Sequence, residues 1–171
     1  MPGFRERQEG FTLIELMITL LVIAVVASLA VPWLGQMIRN GQMTSQGNSL
    51  LGAMQYARGE ALARGDTVTI CGSGDGVNCD NKWGRGWIVF ADPDADGALD
   101  AGETILRTDT ADTSIDIATA STVRFTRKGR LDNAGNPLSI VIKRSDCGQE
   151  GSRALNITSG GRISLDKTGG C

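Results

Sequence analysis

Residues 10–33 of the chain read GFTLIELMITLLVIAVVASLAVPW, and this stretch decides how the fold begins. It is apolar from Phe11 to Val31 except at four positions: Thr12, Glu15, Thr19 and Ser28. The hydroxyl groups can bond back to a helix backbone, and about 20 apolar helical residues are enough to cross the hydrocarbon core of a membrane. The carboxylate at position 15 is harder to place. An acid in such a span either lies at the membrane boundary or has a function.

A polar segment, residues 1–10, precedes the apolar stretch and ends at Gly10. A secretory signal peptide would carry a small-residue cleavage site after its apolar part, and the sequence VPWLG at 31–35 offers no such pattern. The order found here is a polar leader, a glycine and then an apolar helix. It differs from that of a secretory signal.

The hexapeptide Gly10-Phe11-Thr12-Leu13-Ile14-Glu15, with its apolar continuation, resembles the class III leader of type IV pilins and type II secretion pseudopilins. The resemblance implies that a prepilin peptidase cuts after Gly10 and methylates the new amino terminus at Phe11. It also implies an assembly role for Glu15, the fifth residue of the mature chain. Pro32 stands where pilins commonly carry a proline that kinks the helix.

Cleavage would explain in physical terms why a carboxylate stands at position 15. A free α-amino group on Phe11 is positively charged at neutral pH, and a bundle of apolar helices offers it no other counter-charge. The resemblance implies that Glu15 pairs with the amino terminus of a neighbouring subunit. In a low dielectric, such a pair would offset two desolvation penalties and set the axial register between subunits.

The composition argues against catalysis. The chain has 171 residues, a net charge of −2 and no histidine, and no serine, cysteine or carboxylate has an evident catalytic partner. We therefore interpret the protein as a non-enzyme that requires no cofactor. Its length suits one membrane helix followed by one soluble domain.

Four cysteines follow the candidate membrane helix: Cys71, Cys79, Cys147 and Cys171. An even number on the exported side suits disulfides in an oxidising periplasm, and the spacings are not those of a zinc site. Four reduced thiols are the alternative. Three pairings are open, and the short flexible loop between Cys71 and Cys79 favours that pair. Cys147 with Cys171 would then tie the end of the chain to the domain.

Hydrophobic periodicity predicts a long helix followed by a β domain. Apolar residues recur at helical spacing from Trp33 to Arg64, and short β-like runs separated by turn residues follow Gly65. The predicted strands are Thr67–Cys71, Gly86–Ala91, Thr104–Arg107, Ser114–Ile117, Thr122–Thr126, Leu138–Lys143, Ala154–Thr158 and Arg162–Leu165.

The fold class is therefore α+β, with a long N-terminal helix packed on an antiparallel β-sheet domain. We divide the chain into a leader (1–10), a transmembrane and assembly half of the helix (11–32), an amphipathic half (33–64) and a periplasmic β-rich domain (65–171).

The segment LGAMQYARGEALARGDTVTIC at 51–71 resembles the minor pilin branch of the GspH/FimT family. The resemblance continues in GWIVF at 86–90, GETILR at 102–107 and FTRKGR at 125–130. It implies a pilin-like fold and a structural subunit that primes pilus assembly and lies at the filament tip. The implied partners are other minor and major pilins, the prepilin peptidase and the inner membrane, crossed once with the C-terminal domain in the periplasm.

The family leaves open which filament the chain serves. Its cysteine arrangement favours a FimT/FimU-type minor pilin of a type IV pilus, because secretion-system members usually lack these cysteines. A type II secretion pseudopilin and a DNA receptor for natural transformation are the alternatives.

The sequence DPDADGALDAGE at 92–103 matches a twelve-residue calcium loop at each liganding position. The predicted ligands are Asp92, Asp94, Asp96, the backbone carbonyl of Ala98, Asp100 and Glu103. Phe90 and Ala91, however, read as a strand and not as an entering helix. The segment is therefore either a weak calcium site or a solvated acidic hairpin.

The C-terminal part of the chain carries a basic cluster, with Arg124, Arg127, Lys128, Arg130, Arg162 and Lys167. Some FimT-type pilins bind DNA through a tail with a Gly-Arg-x-Arg motif, and Gly161-Arg162-Ile163-Ser164 lacks the second arginine. Cations in this number could still contact phosphates without sequence preference. A solvated face and a subunit contact are the alternatives to DNA binding.

Overall fold

The computed structural model describes residues 10–118, 122–132, 135–144 and 152–168. The predicted α+β fold is confirmed, because one long helix, α1 (Leu13–Arg64), precedes a run of antiparallel strands. The strands are β1 (Val68–Gly72), β2 (Gly86–Ala91), β3 (Ile105–Thr110), β4 (Ile115–Ala118), β5 (Val123–Phe125), β6 (Leu138–Arg144), β7 (Ser152–Ile157) and β8 (Ile163–Lys167). Each corresponds to a predicted strand, with ends that shift by at most three residues.

The chain divides into two compact units, Met1–Ile38 and Arg39–Cys171. In the described part of the first unit, the large apolar side chains are exposed. This part of α1 is long and apolar enough to cross a membrane, and none of it is buried within the protein. Its hydroxyl groups are satisfied locally, since Thr19 donates to the carbonyl of Leu16 and Ser28 to that of Val25. These residues therefore suit an apolar surrounding.

The second unit contains the core. Its part of α1 contributes a row of side chains with no solvent exposure, at the spacing of three and four residues that a helix face requires. These side chains are Met43, Leu50, Ala53, Met54, Ala57 and Ala61. From Leu50 onward they belong to one apolar cluster with residues of both sheets.

The strands form two four-stranded antiparallel sheets, with the orders β3-β2-β1-β5 and β4-β6-β7-β8. β1 is buried along its whole length, and β2 is buried up to Phe90, because both lie inside the first sheet. The division into two sheets was not predicted. It positions the β2–β3 connection at the edge of the first sheet and the β7–β8 turn at the edge of the second.

Candidate functional site

The acidic segment 92–103 forms the connection between β2 and β3. A backbone hydrogen bond from Ala91 N to Thr104 O, 3.0 Å long, closes its base. A second bond, also 3.0 Å, joins Asp92 N to the carbonyl of Thr67 just before β1. The segment thus leaves a strand and returns to a strand, as Phe90 and Ala91 indicated.

Asp92 is fully buried, although the loop that it begins lies at the surface. Its Oδ2 accepts hydrogen bonds from Thr69 Oγ1 at 2.5 Å and from Gly97 N at 3.1 Å. Its Oδ1 is also buried and has no hydrogen-bond partner among the described residues. Burial raises the pKa of this carboxyl, and the carboxyl group of Asp94 beside it acts in the same direction.

Three of the predicted ligands come together at this point. One carboxylate oxygen from each of Asp92, Asp94 and Asp96 lies within 4.8 Å of the other two. The backbone makes this possible with two residues at positive φ, Ala95 at 60° and Gly97 at 80°. Asp94 and Asp96 are exposed, so only Asp92 in the group is withdrawn from water.

The remaining predicted ligands lie in the second half of the same loop. The Glu103 carboxylate accepts a 3.0 Å bond from Asp100 N, and both residues line a shallow surface depression together with Asp94. Burial raises the pKa of Glu103, as do the nearby Asp92, Asp94 and Asp100. Ala98 is exposed and donates its N–H to Asp96 at 2.7 Å. The structure therefore concentrates negative charge at this loop, but it does not bring Asp100 and Glu103 into the three-carboxylate group.

One of the predicted basic residues makes contacts within the protein, and three others form an exposed group. Arg124 donates to the carbonyl of Ala95 in the acidic loop and forms an ion pair of 3.3 Å with Asp132. Arg127, Lys128 and Arg130 are exposed in the turn 126–130. Arg124 therefore stabilises the fold, whereas the other three are accessible.

A second turn, 158–162, packs against the first and adds an exposed arginine. A Cβ on Gly161 would lie 2.0 Å from the carbonyl oxygen of Gly129, so the two turns approach as closely as glycine allows. Arg58 on α1 donates to the same carbonyl at 2.9 Å. Arg162 consequently lies beside the first turn, while Lys167 lies at the far end of β8. We call the exposed group Arg127, Lys128, Arg130 and Arg162 the basic surface.

The N-terminal residues singled out by the sequence lie just before α1 and within it. Gly10 and Phe11 are exposed, and Thr12 caps α1, with its Oγ1 accepting a 3.3 Å bond from Glu15 N. Threonine followed three residues later by glutamate is the sequence pattern of a capping box and marks this helix start. Pro32 lies within α1.

The cysteines are described only in part. Cys71 and Cys79 form the predicted disulfide, which ties the loop after β1 to a buried position in β1. Within that loop, hydrogen bonds from the Asn78 side chain and from Val77 N and Asn78 N hold the pKa of the exposed Asp75 well below its usual range. Cys147 and Cys171 lie outside the described residues, so their pairing stays a prediction.

The sequence profile of a family described as type II transport protein GspH matches residues 46–161. The chain belongs to the GspH family. A separate profile, the prokaryotic N-terminal methylation motif, matches residues 5–31. No curated protein sequence matches the chain.

Solved structures of two proteins support the same fold. The type IV minor pilin FimU of Pseudomonas aeruginosa superimposes with a TM-score of 0.60 at 23% identity, over 75% of this chain and 90% of that one. A second crystal form of FimU gives a TM-score of 0.55 at 25% sequence identity, over 73% of this chain and 93% of the FimU chain. The minor pseudopilin EpsH of the Vibrio cholerae type 2 secretion system gives a TM-score of 0.52 at 11% sequence identity, over 74% of this chain and 97% of the EpsH chain.

As a GspH-family member, the chain is a minor pilin or pseudopilin of the type IV pilus or type II secretion family. The family is one of structural pilins and pseudopilins, and the interpretation of this chain as a non-enzyme stays a prediction. The methylation motif and the exposed apolar part of α1 fit a membrane-anchored component of such a filament.

We predict that replacing both cysteines in the variant Cys71→Ala/Cys79→Ala lowers the free energy of unfolding of the β domain by about 2–3 kcal/mol, because the crosslink closes a short loop and restricts the unfolded chain. Urea denaturation of the full chain in detergent, followed by circular dichroism, measures the loss. Val77→Ala, in the same loop and 56% exposed in the native protein, is the control and should change stability by less than about 0.5 kcal/mol. Equal stability of the double variant and the wild type would contradict the prediction.

Proposed function

We propose that this chain is a minor pilin of a type IV pilus, which primes filament assembly and lies at the filament tip. The observation that carries the proposal is the greater likeness to FimU than to EpsH. At comparable coverage, both FimU structures exceed the EpsH structure in TM-score. Their sequence identities to this chain, 23% and 25%, also exceed the 11% identity of EpsH.

The N-terminal segment supplies the assembly mechanism in this proposal. The peptidase cuts after Gly10 and methylates Phe11, and the helix anchors the chain in the inner membrane with the β domain in the periplasm. The apolar side chains of residues 11–31 must be covered by lipid before assembly and by neighbouring helices afterwards. The carboxylate of Glu15 then pairs with the amino terminus of a neighbouring subunit inside that helix bundle.

Two other functions each have one observation in their favour. The family profile takes its description from a type II transport protein and EpsH is a pseudopilin, which supports a role in type II secretion. The basic surface, made by two turns that pack together, supports a DNA receptor, because grouped cations bind phosphates regardless of sequence.

Deleting the gene separates these functions. We expect the deletion strain to lose surface pili, counted by electron microscopy, and to regain them when the wild-type chain is supplied. A secretion pseudopilin predicts intact pili and exported enzymes retained in the periplasm. That outcome would overturn the proposal.

A variant of the basic surface tests the DNA receptor in the same strain. Arg127→Gln/Lys128→Gln/Arg130→Gln removes three exposed charges, and Lys82→Gln/Arg85→Gln/Lys143→Gln, which removes three exposed charges elsewhere on the domain, is the matched control. The assembly proposal expects both variants to restore pili and transformation alike. Restored pili with transformation lost only in the first variant would assign DNA reception to the basic surface.

Replacing Glu15 tests the charge pair. Glutamine is accepted at this position of a capping box, so Glu15→Gln keeps the helix start but removes the counter-charge. We expect leader cleavage and membrane insertion to persist, while incorporation into sheared pili, measured by immunoblot, falls at least about tenfold because an unpaired charge is left in the bundle.

Two further variants complete that experiment. Glu15→Ala should behave like Glu15→Gln, and Glu6→Gln, in the leader that cleavage removes, should behave like the wild type. Normal incorporation of Glu15→Gln would rule out the pair.

A further inference from the structure

We propose that the loop 92–103 is a calcium site, in which Asp92, Asp94 and Asp96 supply the carboxylate ligands. The inference goes beyond the proposed function and does not depend on it, because the site belongs to the β domain whichever filament the chain joins. It rests on the geometry of the three carboxylates and, independently, on the buried oxygen of Asp92 that lacks a partner.

The buried oxygen is the stronger of the two observations. A buried carboxylate normally has hydrogen bonds to both oxygens, since an unsatisfied polar atom away from water carries its full desolvation penalty. Thr69 and Gly97 both bind Oδ2 of Asp92, and this leaves Oδ1 without a donor among the described residues. The residue belongs to a group whose other members, Asp94 and Asp96, are carboxylates and can donate nothing when ionised. A cation would satisfy all three.

The loop is held in place from several sides. Leu99 packs on the small apolar cluster of Cys71, Ile88 and Phe90 beneath the loop. Arg124 donates to the carbonyl of Ala95 from outside the loop. Because these contacts fix both halves of the loop to the first sheet, a cation would meet ligands that are already ordered, and it would lose less affinity to loop ordering.

The position of Gly97 also fits a loop built around an ion. Its φ of 80° lies in the left-handed region, and a Cβ there would come within 3.1 Å of Thr122 Oγ1. The N–H of Gly97 points back to Asp92, so the turn brings the sixth residue of the loop against the first. That closure sets Asp94 and Asp96, which lie between them, beside Asp92.

The chemistry of the group selects the ion. Carboxylate oxygens prefer hard cations, and Ca²⁺ binds oxygens at 2.3–2.6 Å, so two ligands on opposite sides of the ion are about 4.6–5.2 Å apart. Separations of at most 4.8 Å let one ion contact all three oxygens. Calcium tolerates an irregular arrangement of oxygens, whereas Mg²⁺ demands a near-ideal octahedron and gives up its water reluctantly. Asp100 and Glu103 share a surface depression with Asp94, and the pattern of a twelve-residue calcium loop assigns them to the remaining coordination positions.

A proton shared between Asp92 and Asp94 is the competing explanation. It would satisfy the same oxygen without any metal. The two explanations differ in the response of the protein to calcium, because a proton-bridged pair gives no saturable binding at neutral pH.

The test titrates the full chain in detergent, first freed of metal with a chelator, with calcium chloride and separately with magnesium chloride. Calorimetry should show saturable calcium binding with a Kd of about 10⁻⁴–10⁻³ M, the range of extracellular calcium modules. At a calcium concentration ten times the Kd, the thermal midpoint of the β domain should rise by about 3–6 °C. Magnesium at the same concentration should shift it at least about threefold less.

Matched variants identify the ligands. Asp94→Asn/Asp96→Asn changes two exposed carboxylates, so the protein should fold normally and lose both the heat and the thermal shift. Asp116→Asn/Asp166→Asn, also exposed and located on the second sheet, should keep both. The wild-type titration does not depend on how any variant folds.

Three results would overturn the proposal. The first is no saturable heat of binding for the wild type at about 10 mM calcium, which is ten times the weakest Kd expected. The others are an equal calcium response in the loop variant and the control, and magnesium bound as tightly as calcium.

Discussion

The packing of one face of α1 against two separate sheets is the interaction on which the β domain depends. The helix, the first sheet and the second sheet contribute to one large apolar cluster, and the first sheet has a second, small one at Cys71, Ile88 and Phe90. Small residues let the partners approach: Ala53, Ala57 and Ala61 are fully buried, and a Cβ on Gly47 would lie 2.9 Å from Leu165 of β8. Gly47 therefore has a packing use, which offsets its cost to the helix of about 1 kcal/mol, whereas a Cβ at Gly41, Gly52 or Gly59 would meet no neighbouring atom.

The same helix meets a different requirement at its N-terminal end. There the side chains are apolar in every direction and exposed, so the chain must obtain its apolar surroundings from lipid or from other subunits. Thr12 caps the first turn, and Glu15 places a negative charge where the helix dipole favours one. A local reason for Glu15 thus exists beside the proposed pairing between subunits.

The secondary structure and one disulfide depend on residues that are close in sequence, and local sequence patterns predicted them. Helical spacing predicted α1, alternating runs and turn residues predicted the strands, and a short spacing predicted the bond between Cys71 and Cys79. The division into two sheets depends on pairings between distant strands, which no local pattern contains. The burial of Asp92 depends on Thr69, 23 residues away in β1, and the basic surface depends on a contact between two turns. Both features of the candidate sites that the sequence missed are therefore long-range contacts.

The central claim is that this GspH-family chain becomes a filament subunit only after its leader is removed and a new charged amino terminus is made at Phe11. Intact-mass spectrometry of the chain purified from membranes of a strain that carries a prepilin peptidase tests it directly. We expect a single species that lacks residues 1–10 and carries one methyl group on the amino nitrogen of Phe11, and the full-length chain in a strain without the peptidase. A chain that retains its leader in the peptidase-positive strain, or is cut after the apolar stretch, would contradict the account.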